Sequence, residues 1–246
     1  MASHSHGLFL FALVFVVALV ASTISGVTGF GGGVLMLPPL VAFYGARTAI
    51  VILTIAQVVG NGSRAWFGRE RIDWPVVGLF VAGAVPAAVL GSIVFAGISA
   101  TWLARVLGAF LLATVVYRHL KLPQPRMPRW GFVPLGIAFG FLSAILGSVG
   151  PFVAPWFLSY GLVKVAYVAT EALGALCMHL TKTIAYGELA LITPQSALAG
   201  IALSPAMIAG SYLGKRIVHR LPERAFETLI EIVLVIAGLM FVLGRA

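Results

Sequence analysis

Charged residues are scarce in this chain of 246 residues: only seven are Asp or Glu, and charges of both signs make up 9%. A soluble domain usually carries about 25% charged residues, so this chain cannot cover a water-facing surface. Its hydrophobic fraction of 61% and mean hydropathy of +1.07 point the same way. The composition therefore favours a protein whose solvent is lipid.

Cysteine is represented by Cys177 alone, so no disulfide can form within the chain. One cysteine and five scattered histidines also give no spacing typical of a zinc site. The chain contains no G-x-S-x-G, H-E-x-x-H or P-loop sequence. We expect no metal, no cofactor and no enzymatic activity. A membrane enzyme or assembly factor is a rival class that these absences disfavour.

The basic residues are concentrated, because 11 of the 16 Lys and Arg residues fall in three short stretches between long apolar segments. The stretches hold Arg64, Arg69 and Arg71; Arg118, Lys121, Arg126 and Arg129; and Lys215, Arg216, Arg220 and Arg224. This placement is typical of cytoplasmic loops under the positive-inside rule. The net charge of +9 therefore indicates a lipid bilayer as partner and no nucleic acid.

Long apolar segments fill most of the chain, and a helix needs about 20 such residues to cross a bilayer. Those that reach or approach this length are 8–28, 46–66, 74–97, 100–118, 131–147, 164–186, 194–213 and 225–243. Two shorter segments, 30–44 and 149–161, are rich in Gly and Pro. The sequence predicts an all-α integral membrane protein of 8–10 membrane segments, two of them short or broken helices.

The two halves of the chain resemble each other at offsets of 116 to 121 residues. The matches are 22–26 with 143–147, 39–45 with 155–161, 67–68 with 186–187, and 86–92 with 205–211. Four matches in order predict an internal duplication. We expect a first repeat over residues 1–119, a proline-containing cytoplasmic linker over 120–130, and a second repeat over 131–246.

Topology follows if the three basic stretches lie on one side of the bilayer. The loop at 187–193, which has no Lys or Arg, must then lie on the other side. The simplest solution gives each repeat about five segments, so the repeats are inverted and both termini are extracytoplasmic. Whether 30–44 and 149–161 cross fully or meet as half-helices stays open.

Glycine and proline mark two helix breaks at matching places. The first comprises Gly29, Gly31, Gly32 and Gly33, and the second Ser148 and Gly150. Helix N-termini that start after such breaks offer free N–H groups to an anion. The alternative is that these glycines only allow close helix packing.

Two polar pairs occupy one helix face each, because residues three apart lie on the same side of a helix. Asn61 and Arg64 form the first pair, and His179 and Lys182 form the second, 118 residues later. A small anionic substrate would neutralise their charge. The alternative for both cations is that their side chains reach the headgroups at opposite surfaces.

Glu171 is the only acid well inside an apolar segment. It could carry a coupling proton, or it could pair with a cation from another helix. His179 could relay a proton, or it could be a packed histidine with satisfied hydrogen bonds.

Taken together, these residues resemble the sulfite exporter TauE/SafE family of membrane transporters. The resemblance rests on Gly26-Val-Thr-Gly-Phe-Gly-Gly-Gly33 with Pro38-Pro39, on Gly147-Ser-Val-Gly-Pro151 with Pro155, on Asn61-Gly-Ser-Arg64 before Ile72-Asp73-Trp74, and on His179-Leu-Thr-Lys182 before Tyr186-Gly187. It implies export of sulfite, sulfoacetate or a related sulfonate across a bacterial plasma membrane without ATP. An anion channel or a permease for another small anion is the alternative, and a homodimer is an assembly that the sequence leaves open.

Overall fold

The structure is a computed structural model that describes residues 2–120, 126–162 and 164–217, and residues 235, 239, 242 and 243. Within these residues the chain forms helices and no strand. The α-helices are α1 (Ala2–Thr28), α2 (Gly32–Phe67), α3 (Trp74–Gly97), α4 (Ala100–Leu120), α5 (Phe132–Leu146), α6 (Gly150–Tyr160), α7 (Lys164–Glu188), α8 (Pro194–Ala202) and α9 (Ser204–Ile217). Short 3-10 helices cover Arg69–Arg71 and Arg129–Gly131.

The helix α2 is a hairpin of two arms, 32–44 and 46–67, that meet at Gly45. Gly45 has φ 73° and ψ 159°, which ends the first arm because only glycine adopts this conformation readily. A Cβ atom at Gly33 would lie 2.6 Å from Nε2 of Gln57, so the arms run back along each other. The predicted boundary between segments 30–44 and 46–66 is therefore where the chain turns.

The helix α6 forms a second, similar unit with α7. It has only 11 residues and ends at Gly161, whose φ of 109° turns the chain. The rings of Phe157 and Tyr167 then lie 6.5 Å apart across the turn. At about 1.5 Å per residue, α6 and the first arm of α2 are too short to cross a hydrocarbon core of about 30 Å. Both are half-helices whose first turns lie inside the bundle.

Helices from the two halves of the chain pack together in parallel through small residues. On α3 and α5, Cβ atoms added at Gly91 and Gly140 would meet main-chain atoms of Phe141 and Ala84 at 2.4–3.1 Å. On α1 and α9, a Cβ atom at Gly210 would lie 2.6 Å from the carbonyl oxygen of Leu19. Without side chains at these positions the backbones approach closely, which is how helices associate in lipid.

The second arm of α2 and α7 cross in antiparallel directions at the centre of the bundle. Gly68, just after α2, lies against Val165 and Ala169 near the start of α7. Gly62 in turn lies against Leu176. This crossing carries both of the predicted polar pairs, so it positions the candidate site.

The surface of the bundle is apolar, as expected for a protein that faces lipid. Ile184 is 67% exposed and Leu198 is 70% exposed. The stretches long and apolar enough to cross a membrane are Phe11–Thr28, Gly32–Phe67, Trp74–Gly97, Ala100–Tyr117, Arg129–Leu146 and Pro194–Arg216. The prediction of an all-α membrane protein is confirmed. The helix α7 is not among these stretches because it is more polar, and its polar face lies inside the bundle.

One end of the bundle, which we call the basic end, carries basic residues from the described parts of the chain, among them Arg71, Arg129 and Lys215. Nζ of Lys215 donates a hydrogen bond to the carbonyl oxygen of Phe67 at 2.9 Å. Nε of Arg129 lies 3.3 Å from the hydroxyl of Tyr160, near the start of α7. Lys121, Arg220 and Arg224 lie outside the described residues, as does most of the predicted segment 225–243.

The local geometry of the two breaks matches at an offset of 118 residues. Gly29 and Gly147 both have φ 78°. Their N–H groups donate to the carbonyl oxygens of Ser25 and Ser143 at 2.8 and 2.9 Å. The sequence match of 22–26 with 143–147 has an offset of 121 residues, three more than the geometric match. The difference arises because serine and glycine each occur twice, three residues apart, at the end of α1. The duplication, its inversion and its boundaries stay predictions.

Candidate functional site

The two helix breaks lie against each other at the centre of the bundle. A Cβ atom at Gly150 would be 3.0 Å from Cβ of Phe30 and 3.8 Å from the N atom of Gly31. A Cβ atom at Gly33 would be 2.5 Å from Cβ of Ser148. The tips of α2 and α6 therefore face a shared space, and glycine is required where they touch.

The first tip is held by serine and threonine hydroxyl groups from the end of α1. The N–H of Gly32 donates to Oγ of Ser25 at 2.7 Å. Oγ1 of Thr28 donates to the carbonyl oxygen of Phe30 at 2.7 Å. The N–H groups of Gly33 and Val34, also in the first turn of α2, have no partner within their own helix. These two groups, rather than that of Gly32, are the donors that α2 can offer to a ligand.

The second tip is held by Lys182. Its ammonium group donates to Oγ of Ser143 at 2.9 Å, to the carbonyl oxygen of Ser143 at 3.1 Å and to that of Gly147 at 3.2 Å. An ammonium group has three donors, so all of them are used, and Lys182 is fully buried. Pro151 lacks an N–H group, so α6 offers fewer donors than α2.

Between the tips lies a small cavity, which we call the central cavity, with a volume of about 30 Å³. This holds two or three water-sized groups, since each needs roughly 10–15 Å³. The polar side chains that line it are Ser25, Gln57, Asn61, Arg64, Ser143, Ser148, Glu171 and His179. The glycines that line it are Gly29, Gly31, Gly33 and Gly150.

Several polar atoms around the central cavity are buried without a hydrogen-bond partner. They are Oε1 of Gln57, Nε and Nη1 of Arg64, Oε2 of Glu171 and Nδ1 of His179. The remaining terminal nitrogen of Arg64, Nη2, donates to Oδ1 of Asn61. Unpartnered buried polar groups destabilise a protein unless a ligand or water meets them. Their convergence on one cavity is the feature that a binding site requires.

The charges around the central cavity nearly balance. Arg64 is only 5% exposed and interacts electrostatically with Glu171, which is 8% exposed. Lys182 adds a positive charge behind the second tip, within hydrogen-bond distance of Ser143. With Glu171 ionised the three groups sum to one positive charge, which suits a bound anion.

The structure places most of the predicted site residues around this cavity. Those that line it are Gly29, Gly31, Gly33, Asn61, Arg64, Ser148, Gly150, Glu171 and His179. Gly32 and Lys182 do not line it, because their donors are used within the breaks. The ammonium group of Lys182 contacts the carbonyl oxygens of Ser143 and Gly147 at the end of α5. That any of these residues binds substrate stays a prediction.

Ser25 and Ser143 also line the cavity, although neither was predicted as a site residue. Each stands four residues before a glycine with φ 78° and accepts the hydrogen bond of that glycine. A serine at this spacing before each break, in both halves, was the signal that could have found them.

The end of the bundle opposite the basic end is closed by what we call the Tyr186 seal, made of Phe95, Lys182 and Tyr186. The rings of Phe95 and Tyr186 lie 5.0 Å apart, and all three residues are fully buried. The hydroxyl of Tyr186 donates to the carbonyl oxygen of Ala144. Arg47 reinforces the closure, since its Nη1 donates to the carbonyl oxygen of Ala96 at 3.0 Å.

At the basic end, the side of the central cavity opposite the Tyr186 seal is open. A cavity of about 280 Å³, which we call the vestibule, lies between the ends of α1, α2 and α9 and the start of α7. It is lined by Gly26, Val27, Arg64, Phe67, Gly68, Lys164, Val165, Val168, Ala169, Ser211 and Lys215. Arg64 lines both cavities, so its side chain separates the vestibule from the central cavity.

The fold and the site define a class: a multi-pass helical membrane protein with a buried polar cavity between two broken helices. The sequence model of a known family, Sulfite exporter TauE/SafE, matches residues 14–241, nearly the whole chain. The chain therefore belongs to this family, whose members are membrane transporters of sulfur-containing anions such as sulfite. Comparisons with curated proteins and with solved structures gave no match.

Proposed function

We propose that this protein is a secondary transporter that exports a small organosulfur or sulfur-oxide anion by alternating access. Sulfite, sulfoacetate or a related sulfonate is the substrate that the family suggests. The observation that carries the proposal is the pair of unpartnered buried donors, Nε and Nη1 of Arg64, at the central cavity. A sulfonate or sulfite head accepts several hydrogen bonds, so it can meet both donors at once.

The anion would lie between the two tips. Nε and Nη1 of Arg64 would donate to its oxygen atoms, together with the N–H groups of Gly33 and Val34 in α2 and of Gly150 in α6. Asn61 already bonds Arg64, which holds the guanidinium toward the cavity. At about 30 Å³ the cavity is smaller than a four-atom anion needs. Binding would therefore separate the tips slightly, which couples substrate to the positions of α2 and α6.

The different closure of the two ends supports alternating access. Tyr186 and Phe95 close one end, whereas the vestibule reaches Arg64 from the other. In a transporter built from inverted repeats, the same site becomes accessible from each side in turn. Exchange of these two arrangements would open the Tyr186 seal and close the vestibule.

Orientation, coupling and assembly are further parts of the proposal. The basic end would face the cytoplasm of a bacterium, with both termini outside, because basic loops are retained there. Glu171 and His179 are the candidates for a coupling proton, because each has a buried polar atom without a partner at the cavity. A homodimer in the bilayer is compatible with the apolar surface.

A flux assay in proteoliposomes tests the proposal. Purified protein is reconstituted, and uptake of sulfite and of sulfoacetate is compared with uptake into protein-free liposomes. We expect saturable uptake of at least one of them and competition between them. Uptake no faster than in protein-free liposomes, for either anion and in either direction, would contradict the proposal.

The same preparation distinguishes a transporter from an anion channel. Alternating access predicts counterflow, in which unlabelled anion inside the liposome accelerates uptake of labelled anion. A transporter moves anions far more slowly than an open channel conducts them, so no single-channel current is expected. Measurable unitary current carried by sulfite, without counterflow, would select the channel.

A further inference from the structure

The vestibule differs chemically from the central cavity that it adjoins. Its volume is about 280 Å³, against about 30 Å³ for the central cavity. Much of its wall is apolar and comes from Val27, Phe67, Val165, Val168 and Ala169. A bare inorganic anion would leave this apolar surface without a partner. A ligand with an aliphatic part would cover it.

The polar part of the vestibule is positively charged. Arg64, Lys164 and Lys215 line it, and no acid is among the described residues that do so. Lys164 and Lys215 are exposed, whereas Arg64 is 5% exposed, and its Nε and Nη1 have no partner. Lys215 uses one donor on the carbonyl oxygen of Phe67, which leaves two others. Cations therefore stand at both the outer and the inner limit of an apolar chamber.

We propose that the vestibule is a second binding site, which takes small aliphatic anions with a sulfonate or carboxylate head. The head is held by Lys164 and Lys215, and the aliphatic chain lies on Val165, Val168 and Phe67. The site concentrates organic anions before Arg64 and discriminates among them by chain length, which the central cavity is too small to do. Its role in transport rests on the proposed function, but binding itself does not.

The test measures binding of linear alkanesulfonates of one to six carbons to the purified protein in lipid nanodiscs by calorimetry. Each methylene that enters the vestibule should tighten binding about threefold to fourfold, as burial of a CH₂ group does. Empty nanodiscs are measured in parallel because they report partition into lipid alone, and the alcohol of equal length reports the binding that does not depend on a charged head.

Variants locate the binding. Val165→Ser, at a residue 46% exposed and therefore tolerant of change, should flatten the dependence on chain length. Lys164→Gln should weaken every alkanesulfonate by a similar factor, about threefold to tenfold, and leave the slope with chain length intact. Arg71→Gln removes an exposed cation from the same end that lines neither cavity, so it is the matched control.

The outcomes separate this proposal from the proposed function. A slope with chain length that Val165→Ser abolishes, in a protein that moves no sulfite, supports the vestibule and contradicts transport. Sulfite flux with no slope above that of empty nanodiscs overturns the vestibule alone. An equal effect of Lys164→Gln and Arg71→Gln also overturns it, because binding would then reflect only surface charge.

Discussion

Replacement of Arg64 by Gln tests the site most directly, because this side chain lies between the two cavities. The substitution removes the positive charge and the free Nε and Nη1 donors but keeps a polar, shorter side chain. Asn61, which accepts the hydrogen bond of Nη2, stays in place. The bond from Nη2 to Asn61 is lost together with the two donors that we expect to contact the anion.

The magnitude follows from the two unpartnered nitrogen atoms. A hydrogen bond to a charged group contributes about 1.5–3 kcal/mol, so loss of one such bond weakens binding about 10- to 150-fold. Loss of both would exceed this range. We therefore expect Arg64→Gln to weaken sulfite binding at least about tenfold and to lower flux at subsaturating sulfite by a similar factor. Arg64→Lys keeps the charge without the planar pair of donors and should fall between Gln and the wild type.

Thermal stability without substrate distinguishes a ligand contact from a structural one. In the empty protein the buried guanidinium leaves two nitrogen atoms unmet, which destabilises the fold by about 1–3 kcal/mol for each group. Arg64→Gln removes both and should keep the melting temperature or raise it. The substitution also deprives Glu171 of its cation, so Arg64→Gln/Glu171→Gln, which keeps the local net charge, is the matched control.

The assay compares flux and melting temperature of these variants in the same lipid, with Arg71→Gln as the control for loss of a cation. A marked fall in melting temperature for the double variant, with sulfite affinity unchanged, would refute the reasoning. Arg64 would then be a structural residue, and the anion would have to bind elsewhere.

Three further variants probe the tips, the seal and the acid. Gly33→Ala would put a Cβ atom 2.5 Å from that of Ser148, so we expect sulfite flux to fall at least about tenfold. Gly78→Ala is the control, because its Cβ atom would have no neighbour within 4 Å, and it should leave flux unchanged. Tyr186→Phe removes one buried hydrogen bond of the seal, which contributes about 0.5–1.5 kcal/mol. Amide hydrogen exchange at the end of α5 should therefore accelerate about twofold to twelvefold. Unchanged exchange would argue against a seal. If Glu171 carries a proton, Glu171→Gln should abolish the response of flux to a pH gradient, and a retained response would exclude it.

Much of the fold could be predicted because a chain that spans a lipid bilayer can adopt few backbone structures. Spans of apolar residues, basic loops and glycine breaks gave helix boundaries close to those of the structure, including the turn at Gly45. The spacing of Asn61 and Arg64 predicted a shared face, and the two side chains are hydrogen bonded. These features depend on local sequence and on helix period alone.

The rest depends on which groups meet in three dimensions. Nothing local to Lys182 indicates that its ammonium group would find the carbonyl oxygens of Ser143 and Gly147, from a helix 35 residues or more away. The seal likewise depends on Tyr186 and Phe95, which belong to different halves of the chain. An apolar or aromatic residue in such a chain has many possible partners, so its role is visible only once the helices are placed.

The pairing of α1 with α9 bears on how the chain is made. A ribosome that adds about 5–20 residues per second needs roughly 10–40 s to pass from Gly26 to Gly214, which lie against each other in the finished protein. During that interval the side of α1 that later contacts α9, which includes Leu19, Ser22 and Gly26, has no contact with that helix and must be shielded by lipid or by the insertion machinery. The contacts of α1 with α9 therefore form only after α9 has been synthesised. A truncation that removes α9 should leave α1, the first helix made, without this partner.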